Sequence, residues 1–215
     1  MKAVIFDLDG TLLDTIKDIA DSMNYVLSKY GLPQHSIEEY KLYVGDGSLN
    51  LVMRSAPGAQ DTGPTFAQLE SEYREEYLKR QAVYTAPYHG IAELLSTLVR
   101  RGVKIAVLSN KAHIATLEVM AHFFPDIEFD VIIGQRTGYP IKPDPSGVLE
   151  ILNELGLTCE EALYIGDTGT DMQTAKAADV RAVGALWGFR DKKELEENGA
   201  DVFARHPLDV LSEIK

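Results

Sequence analysis

The sequence predicts a layered α/β domain on a mostly parallel sheet, interrupted near its start by an all-helical insertion. From Pro87 onward, short apolar runs alternate with helically spaced segments, the signature of repeated strand–helix units. From about Asp14 to Ala82, helical spacing recurs without such strand runs. Ahead of that block, Lys2–Phe6 reads as a strand buried on both faces, as in a parallel sheet. The helical block is therefore inserted after the first strand.

The elements follow in order. Ile16, Ile19, Ala20, Met23, Val26 and Leu27 recur at helical spacing, and Gly31 ends that run. Ser36 can cap a short helix containing Ile37 and Tyr40. Gly45 and Gly47 interrupt the chain around Asp46, and a helix with Leu49, Leu51, Val52 and Met53 follows. Pro57–Pro64 is a loop by its Gly and Pro content. Phe66–Lys79 is helical, with Leu69, Tyr73, Tyr77 and Leu78 as packing positions. Beyond Pro87 come helix Ile91–Arg100, strand Val103–Leu108, helix Asn110–Phe123, strand Phe129–Ile133 and helix Pro145–Leu155. Strand Ala162–Ile165, helix Thr168–Ala178, strand Arg181–Leu186, helix Lys192–Asn198, the strand-like run Asp201–Phe203 and helix Pro207–Ile214 complete the chain.

Composition bounds the function. With 215 residues, 45% of them hydrophobic, the chain can build one sizeable core and a smaller attached unit. Its formal charge of -12 argues against nonspecific binding to nucleic acid or anionic membrane. Cys159 is the one cysteine, so an intrachain disulfide and a cysteine zinc cluster are excluded, which fits a reducing compartment. Met1–Lys2 leads straight into a core strand and no apolar run approaches a membrane span, so a cytoplasmic protein is expected. No signal for an oligomeric state is present.

The polar residues gather at strand ends. Asp7 and Asp9 leave the first strand, Ser109 and Asn110 the second, Asp167 and Asp171 the fourth. In open α/β sheets, ligands collect at the C-terminal strand edge. Four carboxylates brought together would repel one another unless a cation neutralised them, and hard oxygen donors favour magnesium over zinc or copper. Asp-Gly is also a common turn pair, and Asp167 or Thr168 can simply cap the following helix; capping and metal roles are compatible. Ser109, where a strand meets a helix, can be a plain cap or a phosphate ligand at a helix N-terminus. Lys142 lies in Pro140–Ile141–Lys142–Pro143–Asp144–Pro145, whose prolines limit where it points. It can be a solvated charge or can offset phosphate and carboxylate charge. His35, His89, His113, His122 and His206 show no metal-ligand spacing.

Four stretches carry a family resemblance. Asp7–Leu8–Asp9–Gly10–Thr11–Leu12–Leu13–Asp14–Thr15 resembles the opening signature of the haloacid dehalogenase-like phosphohydrolases. Ser109–Asn110–Lys111, Lys142–Pro143 and Gly166–Asp167–Thr168–Gly169–Thr170–Asp171 resemble the second, third and fourth motifs, in order. Tyr43–Val44–Gly45–Asp46–Gly47 and Val183–Gly184–Ala185–Leu186–Trp187–Gly188–Phe189 resemble phosphoglycolate phosphatase-like members. The resemblance implies a Rossmann-like three-layer catalytic core, residues 1–13 and 83–215, and a helical type 1 cap, residues 14–82. It implies Asp7 as nucleophile, Asp9 as acid and base, and Lys142 as the group restraining Asp7. Gly10, Thr11, Ser109, Asn110 and Lys142 would bind phosphate. Mg2+ would be held by Asp7, the Asp9 carbonyl and Asp167, with Asp171 supporting through water or Lys142 or by direct contact.

The expected activity is hydrolysis of a small phosphorylated metabolite, with 2-phosphoglycolate first. Asp9 argues against dehalogenation, since a leaving halide needs no proton. The family's sugar phosphomutases normally carry a histidine soon after the first motif, where this chain has Ile16–Asp21, so a mutase is the alternative. A catalytically weak regulatory protein is the third reading, and the intact set of motif residues argues against it. The implied cap would sit over the site. There Gly45–Asp46–Gly47 is expected to face substrate or to be an ordinary turn. Arg54 and Lys41 read as surface charge or anion contacts, and Trp187 and Phe189 as packing residues.

Overall fold

The computed structural model describes residues 1–59 and 63–214. The chain forms two compact units, Met1–Asp14 with Pro87–Lys215, and Thr15–Ala86.

The larger unit is organised on a six-stranded sheet of order β5-β4-β1-β6-β7-β8. Its strands are β1 (Ala3–Phe6), β4 (Lys104–Ala112), β5 (Val131–Gln135), β6 (Ala162–Gly166), β7 (Arg181–Ala185) and β8 (Val202–Ala204). All its pairings are parallel. Two short strands, β2 (Leu13–Asp14) and β3 (Ala86–Pro87), mark the two chain crossings between the units. The period of two along β1 sends Val4 and Phe6 to one face and Ala3 and Ile5 to the other. Helices cover both faces, giving three layers. α5 (Ile91–Arg100) and α6 (His113–Phe123) bury Leu94, Leu95, Leu98, Val119 and Met120 on the first face. On the second, α7 (Ser146–Leu155), α8 (Gly169–Ala177) and α9 (Lys192–Glu197) bury Val148, Ile151, Met172, Ala175 and Leu195. Burial on both faces explains the unbroken apolar runs in β1 and β6.

The strand order positions the site. From β1 the chain moves outward to β4 and β5, then returns to pair β6 on the opposite side of β1. The direction of winding thus reverses at β1, the kind of switch point at which open α/β sheets bind ligands beyond the C-terminal ends of their strands.

The smaller unit contains α1 (Ile16–Lys29), α2 (Ile37–Tyr43), α3 (Ser48–Ser55) and α4 (Phe66–Arg80). The expected apolar stripe of α1 is buried throughout. Ser36 caps α2 in a reciprocal box with Glu39. Asp18 is buried and accepts from the N–H groups of Val83, Tyr84 and Thr85 at 2.8–3.1 Å, tying the start of the unit to its end.

Several expectations need correction. Leu78 is exposed, while Glu76 is buried beside Arg80 and Lys79, so the inward stripe of α4 is partly ionic. The helix expected to carry Leu49, Leu51, Val52 and Met53 is present as α3, with Leu51 and Val52 buried and Leu49 and Met53 exposed. The closing segment is a 3-10 helix, Pro207–Ser212, capped by His206. The central residues of the Pro57–Pro64 loop, 60–62, lie outside the described residues. The strand expected over Val103–Leu108 extends to Ala112, because β4 resumes pairing with β5 at Ala112 and Gln135 after a register shift. Helix α6 therefore starts at His113, not Asn110.

Candidate active site

Asp7 follows β1 directly, and its N–H donates to the Ile165 carbonyl of β6 at 2.8 Å. Asp167 and Asp171 follow β6, and all three carboxylates are buried. One oxygen from each lies within 4.8 Å of the others. Lys142 is buried among them and donates to Asp7 Oδ1 and Asp171 Oδ1, both at 2.7 Å. Thus Lys142 is no solvated loop charge.

The groups around each carboxylate give it a different character. Asp171 accepts from Lys142, from the Tyr164 hydroxyl at 3.0 Å, and from the Thr168 N–H and hydroxyl at 3.1 and 2.7 Å. Thr168 also caps α8 by accepting from the Asp171 N–H, so the capping role falls to Thr168. Asp167 accepts from the Thr11 hydroxyl at 2.9 Å and the Phe189 N–H at 2.8 Å. Three glycines admit this density. A Cβ on Gly10 or Gly188 would lie 2.3 or 2.2 Å from Asp167 atoms, and one on Gly166 would lie 2.3 Å from Asp171. Gly10 also holds φ at 89°, which favours glycine.

Electrostatics follow from this crowding. Burial, then the charge of Asp171, pushes the Asp7 carboxyl well above the usual carboxylate range, against the opposing pull of Lys142. Burial and Asp171 raise Asp167 to about 7, against the donors Phe189 and Thr11. Burial pulls Lys142 down, but Asp171 and Asp7 outweigh it and keep its ammonium well above the ordinary value. Three carboxylates facing one ammonium are left two charges short of neutrality when ionised. A divalent cation supplies that charge, and an all-oxygen donor set suits a hard ion. The cluster therefore fits a metal.

The other expected residues take these places. Asp9 is partly exposed, and its Oδ2 lies 2.9 Å from Lys111 Nζ. Ser109 and Asn110 are buried at the end of β4. Ser109 lies on the strand extension, not at a helix start, and its hydroxyl accepts from the Lys111 N–H at 3.2 Å. The Asn110 amide accepts from the Lys142 N–H at 2.9 Å and donates to the Lys142 carbonyl at 3.1 Å, so it clamps the lysine loop. Thr11 and Gly10, expected beside phosphate, meet Asp167 in the structure.

Sequence reasoning gave no site role to Tyr164, Gly188, Trp187 or Phe189. Tyr164 hides in an apolar strand, and Phe189 contributes a backbone N–H that side-chain identity does not reveal. Trp187 donates from Nε1 to the Thr11 carbonyl at 2.9 Å, bracing the same turn. A glycine next to an aromatic just after a strand was the available signal for Gly188. In the smaller unit, Arg54 pairs with Asp46 and donates to the Tyr43 carbonyl, and Lys41 pairs with Glu38.

Comparisons with known proteins agree with this geometry. A family model described as haloacid dehalogenase-like hydrolase matches residues 4–185. A phosphoglycolate phosphatase of Aquifex aeolicus is 34% identical over 88% of this chain and 86% of its own. Phosphoglycolate phosphatase 1 of Pseudomonas aeruginosa is 30% identical over 98% of this chain and 78% of its own. A crystal structure of a predicted phosphoglycolate phosphatase from Haemophilus somnus superimposes with a TM-score of 0.92 at 25% identity, covering 100% of this chain and 98% of that one. The chain belongs to the haloacid dehalogenase-like hydrolases, within their phosphoglycolate-phosphatase-like subgroup.

Proposed function

We propose that this protein is a magnesium-dependent phosphatase of small organic phosphate monoesters, with 2-phosphoglycolate as the first substrate. The observation that carries the reading is the buried trio Asp7, Asp167 and Asp171 with Lys142 in contact with two of its members. The names of the relatives support phosphoglycolate as the starting point.

In the first step Asp7 attacks phosphorus. A bond forms from its carboxylate oxygen to phosphorus, the ester P–O bond breaks, and Asp9 gives its proton to the departing alkoxide. In the second step Asp9 takes a proton from water, the water oxygen bonds to phosphorus, and the bond to Asp7 breaks. Splitting the hydrolysis this way replaces one difficult displacement with two easier ones. Lys142 holds Asp7 in line and offsets charge on the transferring group. Asp171, already engaged by four donor groups, anchors Lys142. The Ser109 hydroxyl accepts from Lys111 and still has its O–H to offer phosphate. Asp7, the Asp9 carbonyl and Asp167 would hold Mg2+, which supplies charge neutralisation at phosphate oxygens. The helical unit would serve as the cap that selects the substrate.

A panel of phosphate esters, assayed with and without Mg2+, tests the reading. Phosphate release that needs Mg2+ and disappears in Asp7→Asn is expected. Equal release from parent and variant overturns the nucleophile assignment, and isomer formation exceeding hydrolysis points to a mutase instead.

A further inference from the structure

The two carboxylate oxygens of Asp9 have different surroundings. The backbone around them is fixed: the N–H groups of Thr11, Leu12 and Leu13 all converge on the Leu8 carbonyl at 3.0–3.3 Å, and Gly10 N–H donates to the Leu13 carbonyl at 2.8 Å. Asp9 Oδ2 lies 2.9 Å from Lys111 Nζ. Asp9 Oδ1 is buried and has no hydrogen-bond partner among the described residues. A buried acceptor without a partner costs free energy, so such an atom calls for a functional account. The terminal torsion of aspartate is broad. Without the Lys111 contact, neither oxygen would be committed to one direction.

Lys111 is itself well held. Its side chain is 8% exposed. Its N–H donates to Ser109 Oγ at 3.2 Å, and its carbonyl accepts from the Thr116 hydroxyl at 3.3 Å. Strand β5 approaches that carbonyl closely, since a Cβ on Gly134 would lie 2.7 Å from it. The extension of β4 to Ala112 thus fixes the lysine between Ser109 and α6.

We propose that Lys111 is a positioning residue for proton transfer: by holding Asp9 Oδ2, it leaves Oδ1 as the oxygen that exchanges the proton. The inference rests on the phosphatase reading above. In the first displacement the proton on Oδ1 passes to the leaving alkoxide oxygen as the ester P–O bond breaks. In the second, Oδ1 takes a proton from the attacking water as the bond to Asp7 breaks.

The test compares esters that differ in their need for a proton. Values of kcat/KM, which report steps up to leaving-group departure, are measured for 2-phosphoglycolate, glycerol 3-phosphate and p-nitrophenyl phosphate. The parent, Lys111→Met and Lys111→Arg are each assayed with Mg2+. Nitrophenolate departs without a proton, whereas both alkoxides require one. General acid catalysis contributes about 10²–10⁴-fold, so disorienting the acid in Lys111→Met is expected to cost about 10- to 100-fold on both alkyl esters and under about threefold on the aryl ester. Lys111→Arg is expected to recover most of the loss. The ratio between esters is read on one sample, so partial unfolding of a variant cancels. Equal losses on all three esters, or no loss, overturn the proposal. A loss confined to 2-phosphoglycolate also overturns it, because the lysine would then serve the substrate carboxylate. Failure of the parent to hydrolyse any ester overturns the phosphatase reading itself, a separate outcome.

Discussion

Replacing Lys142 with methionine removes charge at nearly constant volume, so its effect is chiefly electrostatic. The ammonium touches Asp7 and Asp171, each at 2.7 Å, inside a buried cluster. Removing one partner of a buried ion pair costs about 3–5 kcal/mol, because the remaining charge is left uncompensated. That is a large share of a stability of roughly 5–15 kcal/mol. Proton uptake limits the cost. Burial and Asp171 already hold the Asp7 carboxyl well above its usual range, and losing Lys142 raises it further. A carboxyl raised on folding contributes stability that is present below its unfolded value and lost as pH rises through its folded value. The penalty should therefore approach about 3–5 kcal/mol at pH 8 and shrink toward pH 5. Urea unfolding with a chelator present, followed by the fluorescence of Trp187, the one tryptophan, measures it in the larger unit. A loss under about 1 kcal/mol at pH 8, or one that grows on acidification, refutes the reasoning.

Two further outcomes follow from the same site. With Asp167 raised to about 7, the stability it contributes without metal is present at low pH and lost through neutrality. Mg2+ at a hundredfold its Kd should then stabilise the protein by about 2.7 kcal/mol at pH 8 and by less at pH 5.5, where protons compete for the carboxylates. Thermal melts at the two pH values measure this, and equal shifts contradict it. Gly188→Ala would bring a Cβ to 2.2 Å from the Asp167 Cβ and 2.5 Å from the Gly10 carbonyl oxygen. It should cost about 1–3 kcal/mol and weaken the Mg2+ response, as read by the same melts; parental behaviour contradicts the packing account.

Local chemistry made much of the molecule legible. The runs of β1 and β6 read as strands because both faces are buried, and the stripe of α1 read as a helix because its spacing matches 3.6 residues. Acidic groups at several strand ends predict a cation site, and the structure gathers Asp7, Asp167 and Asp171 while Asp9 pairs with Lys111; the contact of Lys142 with Asp7 is implied by the family resemblance and not by strand-end chemistry. Ser109–Asn110–Lys111 looks like a helix cap, which predicts α6 from Asn110, but pairing between β4 and β5 carries the strand on to Ala112. Hydrophobicity alone predicts Leu78 inside, whereas it is exposed and Glu76 is buried, accommodated by two basic neighbours three and four residues on.

The sequence by itself determined the α/β class, the inserted helices and the kinds of oxygen and nitrogen donors in the site, because periodicity and residue type are local properties. Only the tertiary structure decided which partner each donor serves. The Thr11 hydroxyl and the Phe189 N–H converge on Asp167 from segments far apart in the chain. Tyr164 turns from an apolar strand toward Asp171, and Asn110 clamps the Lys142 loop. Most tellingly for Asp9, its two oxygens are equivalent in the sequence, and they become distinct only when β4 brings Lys111 to one of them.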